Sequence, residues 1–182
     1  LGGSRDGSGE SEKLADRVVA EIEEAGGEAA ASYDSVASHE GAERIVQTAL
    51  DAFGRVDILV NNAGILRDKS FLKMTEEMWD PVIDVHLKGT YLVSQQAARW
   101  MKEHGVAGRI VNTTSYAGLK GNFGQTNYSA AKAGIWGMTN THAIELQKYG
   151  ITVNCIAPMA KTRMTEDIAA VPEEMRPEQV SP

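Results

Sequence analysis

Three strand-length runs rich in apolar residues constrain this chain most: VDILV at 56–60, GRIVNTT at 108–114 and ITVNCIA at 151–157. A strand that is apolar at consecutive positions, rather than alternate ones, is one buried on both faces, as inside a parallel sheet. Stretches of helical length lie between them. Ser11 heads a helix with Leu14, Val18 and Ile22 in one stripe and Ala15 and Val19 beside it, closed by Gly26-Gly27. EAAASY (28–33) reads as a further short strand. Ser38 heads a second helix, with Ile45, Val46, Ala49, Leu50 and Phe53 on one face and Gly54 as its stop. A short helix near 69–73, a long helical region from about Glu76 to Glu103 and a helix over 127–149 complete the pattern. Strands alternating with helices predict an α/β fold, a parallel sheet with helices on both faces. No repeat or linker interrupts it, so residues 1–182 are expected to form one domain.

Composition narrows the function. The net charge of −7 argues against non-specific binding to nucleic acid or anionic lipid. The single cysteine, Cys155, lies inside the third apolar run and reads as a buried, inert thiol. Four scattered histidines without cysteine partners give no zinc pattern, so no metal is expected. No apolar run approaches the roughly 20 residues of a membrane helix. With no signal peptide in view, a cytoplasmic location is the expectation.

In parallel α/β sheets, ligands sit beyond the carboxyl ends of the strands. Four such ends carry small, polar or turn-forming residues. They are Asp34-Ser35-Val36 after 28–33, Asn61-Asn62-Ala63-Gly64 after 56–60, Ser115 after 108–114, and Pro158-Met159 after 151–157. One such end would be an ordinary loop; four together describe a cleft.

Beside them the pattern Tyr-x-x-x-Lys occurs twice, as Tyr116/Lys120 and Tyr128/Lys132. The spacing puts both side chains on one face only in a helix. GLKGNFGQTN (118–127) holds three glycines and reads as loop, which empties the first pair of meaning. Tyr128 opens a helix, with Asn127 as its expected cap, so the second pair shares a face. A phenol with pKa near ~10 is a poor base at neutral pH. A nearby ammonium favours the phenolate, and a cationic nicotinamide would add to that. Tyr128 could then take a proton from an alcohol while hydride leaves its carbon, with Ser115 holding the same oxygen.

NNAG, the Ser115/Tyr128/Lys132 spacing and NYSAAKAG together resemble the short-chain dehydrogenase/reductase family, across essentially the whole chain. Within it, YDSV, NNAGILRD, VHLKG, GNFGQTNYSAAK and IAPMAKTRMT resemble the (3R)-hydroxyacyl-CoA dehydrogenase parts of the peroxisomal multifunctional type 2 enzymes and their bacterial relatives. The resemblance implies a Rossmann-type, doubly wound sheet, a nicotinamide dinucleotide (NAD, with NADP possible) and Ser115, Tyr128 and Lys132 as catalytic set. It implies adenine at Asp34, Ser35 and Val36. It places the adenosine ribose and the nicotinamide side at Asn61, Asn62, Ala63 and Gly64, the nicotinamide ribose at Tyr128 and Lys132, and the carboxamide at Pro158, Met159 and Thr162. It further implies a small acyl thioester or carbonyl substrate and a homodimer or homotetramer.

Three departures from the family pattern stand out. The glycine-rich phosphate loop Thr-Gly-x-x-x-Gly-x-Gly is not in the sequence; GSGESE at 7–12 imitates it without a preceding strand. The chain ends before the family's last strand. The asparagine that usually joins the catalytic set is His86, as a relay member or a structural ring. The first two departures lead us to expect a sheet lacking its first strands and last strand, a fragment of a chain of roughly 250–300 residues. They also leave open a 3-oxoacyl carrier-protein reductase, a broad carbonyl reductase, or a non-catalytic member acting as an interaction subunit.

Overall fold

The computed structural model describes Asp6, residues 12–160 and residues 174–180. Helices α1 (Glu12–Glu24) and α2 (His39–Phe53) precede strand β1 (Ile58–Asn61). A 3-10 turn (Phe71–Lys73) leads to α3 (Glu76–Ile83), a π-helical turn (Asp84–Lys88) and α4 (Gly89–Glu103). Then come β2 (Arg109–Thr113), the short α5 (Tyr116–Lys120), α6 (Thr126–Leu146) with a 3-10 end, and β3 (Thr152–Ile156). The strands form one parallel sheet in the order β1-β2-β3, a Rossmann-type α/β arrangement as expected.

Local sequence sets the helix ends. Ser38 Oγ accepts the Gly41 N–H at 3.1 Å, which caps α2. Gly54 takes φ 72°, the left-handed turn that closes α2 while its N–H reaches the Leu50 carbonyl. Ser11, the expected cap of α1, lies outside the described residues.

Register decides what the sheet buries. Leu59, Ile110 and Val153 lie side by side across the three strands and face α2, α4 and α6. There they join Ala42, Val46, Leu92, Val93, Ala97, Met101 and Ile151 in one core. The next row on that face is polar. Asn61 Nδ2 donates to Asn112 Oδ1 and to Ser94 Oγ, both at 2.8 Å, and Asn112 Nδ2 donates to Thr139 Oγ1 at 2.9 Å. These bonds tie β1 and β2 to α4 and α6.

Two expectations change. EAAASY forms no strand: a ladder needs a neighbour, and residues 28–33 pair with none of the described strands. The apolar runs are not covered on both faces either. Ile58 and Val60 are 64% and 57% exposed, and the helices packed on the sheet lie on the other face. The stripe of α1, Leu14, Val18 and Ile22, is exposed as well. Among the described residues no helix is long and apolar enough to cross a membrane.

The polar row gives a stability test. Asn112 is fully buried and satisfies Asn61 and Thr139 at once. Asn112→Ala removes one hydrogen bond from each partner, leaving Asn61 its bond to Ser94 and Thr139 its bond to the Ile135 carbonyl, and is expected to cost about 2 kcal/mol, since each lost hydrogen bond contributes ~0.5–1.5 kcal/mol. Urea unfolding of the variant against the parent measures it.

Candidate active site

The carboxyl ends of β1 and β2 and the first turns of α5 and α6 meet at one place. Helix α6 is locked there by two reciprocal bonds. Thr114 Oγ1 donates to the Lys132 carbonyl at 2.7 Å, and Lys132 Nζ donates to the Thr113 carbonyl at 2.6 Å. Lys132 is buried, and burial pushes its ammonium down to about 8. Its Nζ lies 5.5 Å from the centre of the Tyr128 ring, so the pair shares a face as expected.

Tyr128 is half-buried. Burial raises its pKa, a hydrogen bond with Ser115 lowers it, and the Asp68 carboxylate raises it; the net shift is upward. The expectation that Lys132 holds the phenol toward phenolate is therefore not met in this state. The ammonium lies over the ring and donates a hydrogen bond to the Thr113 carbonyl. Ser115 does meet Tyr128, and its Oγ also accepts the Ala117 N–H at 3.2 Å as the cap of α5.

His86 packs edge-on against Tyr128, with ring centres 5.2 Å apart at 89°. It sits in the π turn and is buried against Gly64, where a Cβ would come within 2.4 Å of its Cε1. Its Nε2 lies 3.0 Å from the Ile65 N–H and 2.8 Å from the Ile65 carbonyl, while Nδ1 has no hydrogen-bond partner. Burial, then the Lys132 charge, pushes its pKa down to about 4.

The first Tyr-Lys pair needs a correction. Tyr116–Lys120 is a turn of helix, not loop, because Ser115 caps it. Tyr116 and Lys120 still make no second site: both are exposed, and α5 turns Gly118 toward α6, where a Cβ would lie 2.7 Å from the Ala133 nitrogen. Asn127 is not the cap of α6; Gln125 holds that position. Asn127 is fully buried inside the first turn, and its Nδ2 donates to the carbonyls of Arg67 (3.0 Å) and Met78 (2.8 Å). This clasp, and the bond from Gln125 Nε2 to Asp68 Oδ2 at 2.9 Å, was not read from sequence. The signal was two carboxamides just before Tyr128.

The expected cofactor residues divide. Val36, Asn61, Asn62 and Ala63 line an open cleft of about 110 Å³ with Leu59, Gly89 and Thr90. The Asn61 side chain turns inward to the polar row. Asp34 is engaged by Arg44 at 2.5 Å, and that hydrogen bond holds its carboxyl below the usual range. Ser35 Oγ accepts the Ala37 N–H at 3.2 Å. Gly64 lies beneath His86. Pro158 and the half-exposed Met159 follow β3. Thr162 lies outside the described residues.

His86 makes stability pH-dependent. Its folded pKa lies below the ordinary 6.5, so the unfolded chain binds more protons between about 4 and 6.5, and stability rises with pH through that window. Moving from pH 7 to 5 is expected to cost about 2 kcal/mol through this group. Urea midpoints at the two pH values show it if His86→Asn narrows the gap relative to the parent.

Comparison with known proteins places the site in a family. Residues 8–172 match the short chain dehydrogenase family. The chain is 54% identical over 184 residues to a putative short-chain type dehydrogenase/reductase of Mycobacterium tuberculosis, covering 100% of this chain and 64% of that protein. It is 53% identical over 184 residues to the peroxisomal hydratase-dehydrogenase-epimerase of Saccharomyces cerevisiae, covering 100% of this chain and 20% of that protein. The chain thus spans less than two thirds of the length of either relative. A crystal structure of a short chain dehydrogenase from Mycobacterium avium superposes with a TM-score of 0.78 at 51% identity, over 82% of this chain and 54% of that one. With the Ser115, Tyr128 and Lys132 cluster at the strand ends, these likenesses make the chain a member of the short chain dehydrogenase family.

Proposed function

We propose that the chain carries the active site of an NAD(P)-dependent oxidoreductase interconverting a secondary alcohol and a ketone, with a 3-hydroxyacyl thioester as substrate and NAD as preferred cofactor. The observation that supports it best is the convergence of Ser115, Tyr128 and the buried Lys132 at the carboxyl ends of the strands. The thioester follows the sequence resemblance, and the dehydrogenation agrees with the name of the Saccharomyces relative.

The donor set fits the two ends of a dinucleotide. The cleft at Val36 and Asn61–Ala63 offers apolar walls with amides at the rim, suited to an adenosine. Lys132 and Tyr128 offer donors suited to ribose hydroxyls. For the pyrophosphate, the described residues offer no glycine-rich loop at a helix N-terminus. When bound, the nicotinamide supplies the hydride acceptor or donor.

The remaining work falls to side chains. Ser115 and Tyr128 hydrogen-bond the substrate oxygen, and Tyr128 gives or takes its proton. Its raised pKa keeps the resting phenol protonated, the form that donates to a ketone. The reverse direction needs Lys132 charged beside it, and a pKa of about 8 leaves it mostly so at neutral pH. His86 fixes the Ile65 backbone next to Tyr128.

Turnover of a 3-hydroxyacyl-CoA with NAD and with NADP tests this reading. Tyr128→Phe is expected to abolish turnover and keep cofactor binding, and Lys132→Ala to lose both. Ser115→Ala is expected to lower kcat by roughly 10² to 10³-fold, the scale of one lost donor at a reacting oxygen. Tyr116→Phe is expected to do little. Damage from Tyr116→Phe equal to that from Tyr128→Phe would overturn the assignment.

We also propose a symmetric dimer through α4 and α6. Of the surplus apolar residues, Val82 of α3, Val93 of α4 and Ile135 of α6 are buried within the chain. Tyr91, Trp136 and Ile144 stay 41%, 49% and 77% exposed. Light scattering is expected to give a dimer at micromolar concentration, and a monomer for Trp136→Asp combined with Ile144→Asp.

A further inference from the structure

Some exposed apolar surface has no part in the chemistry above. Leu72 and Phe123 are the most exposed large apolar side chains among the described residues, at 93% and 90%, and Phe71 is 71% exposed. A lone exposed apolar residue needs no explanation. These stand on two loops that the backbone joins. The Lys69 N–H donates to the Gly124 carbonyl at 2.8 Å, and Lys69 bridges Gln125 in parallel pairing.

That junction lies against the site. Gln125 precedes Tyr128 by three residues and holds Asp68, whose charge reaches the Tyr128 hydroxyl. On the other side α5 rests its Gly118 on the Lys132 and Ala133 backbone and ends at Lys120. Lys69, Lys73 and Lys120 are exposed, and none forms an ion pair among the described residues, in a chain of net charge −7.

Resting on the thioester reading, we propose that Phe71, Leu72 and Phe123, with Lys69, Lys73 and Lys120, form the subsite for the substrate's tail. The acyl chain and pantetheine arm lie on the apolar side chains, and the phosphates carried by the arm meet the lysines. The shared chemistry is a thioester of phosphorylated pantetheine, whether free as coenzyme A or attached to a carrier protein. Its apolar acyl chain and its pantetheine arm with phosphate at the far end match a rim that alternates apolar and basic groups. Lysine is a point-charge partner for phosphate, and the apolar contacts scale with the chain length they cover.

Binding tests this without requiring turnover. Dodecanoyl-CoA and butanoyl-CoA are titrated calorimetrically, with NAD present, into the purified protein, into Leu72→Ser/Phe123→Ser and into Lys69→Ala/Lys73→Ala/Lys120→Ala. All these side chains are exposed, so thermal melts are expected to match the parent. The serine variant is expected to lose about tenfold in affinity for dodecanoyl-CoA and under about twofold for butanoyl-CoA. The lysine variant is expected to lose about tenfold for both, but nothing for dodecanoyl-N-acetylcysteamine, which lacks phosphate. Tighter binding of a dodecanoyl carrier protein than of dodecanoyl-CoA would identify the carrier as the source; the reverse identifies coenzyme A.

The proposal is overturned if the unaltered protein binds neither ester, or if both variants bind like the parent. It is also overturned if the serine variant changes the mass seen by light scattering, which would make the rim an interface between copies. Turnover is read separately. A protein that binds as expected but oxidises no 3-hydroxyacyl thioester refutes the enzymatic reading alone. Turnover with indifferent variants refutes the rim alone.

Discussion

The pair of bonds between Lys132 and the end of β2 governs the rest of the site. One element gives a side-chain donor to the other's carbonyl in each direction, Thr114 Oγ1 to Lys132 and Lys132 Nζ to Thr113. The helix therefore cannot slide along the strand without losing both. Desolvating an ammonium is costly, and a carbonyl at 2.6 Å offsets part of that cost. With Lys132 fixed, Tyr128 one turn earlier is fixed too. The small residues around it let the neighbours close in. Gly118 brings α5, and hence Ser115, against the same turn, and Gly134 admits Leu87 at a distance where a Cβ would clash.

Below this layer lies the polar row Asn61, Asn112, Thr139 and Ser94. It sits where a sheet core is ordinarily apolar, one register step beyond Leu59, Ile110 and Val153. Buried amides are tolerated only when their partners are in place. The row therefore specifies which helix stands on which strand. An apolar row could accept several registers at similar energy; this one accepts few. Asn61 turns its side chain into that row and also lines the cleft at the end of β1.

The sequence made the candidate cluster of Ser115, Tyr128 and Lys132 legible because its signals were local: a strand end, then a helical i, i+4 pair among small residues. It made the three parallel strands legible through their apolar runs. What it could not show depended on partners elsewhere in the chain. EAAASY has strand composition, yet a strand exists only beside another. Ile58 and Val60 read as buried, yet burial depends on what packs on that face. The turn Tyr116–Lys120 was misread because three glycines outweighed a serine cap. The π turn at Asp84–Lys88 leaves no compositional mark, since it answers to the packing of His86 on Gly64 and Ile65.

His86 and Lys132 explain each other electrostatically. Two cations buried this close would repel without water to screen them, so burial selects one. The lysine keeps its proton at neutral pH because it has the Thr113 carbonyl; the imidazole gives its own up, pushed down to about 4. A neutral ring has one N–H, so beside the Ile65 backbone its Nε2 can serve either the carbonyl or the amide, depending on which nitrogen carries the proton. A carboxamide at this position could serve both at once, with separate donor and acceptor atoms. Histidine instead supplies a rigid apolar edge to the Tyr128 ring and fills the space over Gly64. The ring thus holds the phenol in place by shape while leaving the single positive charge of the cluster to Lys132, where the proposed acid–base chemistry needs it.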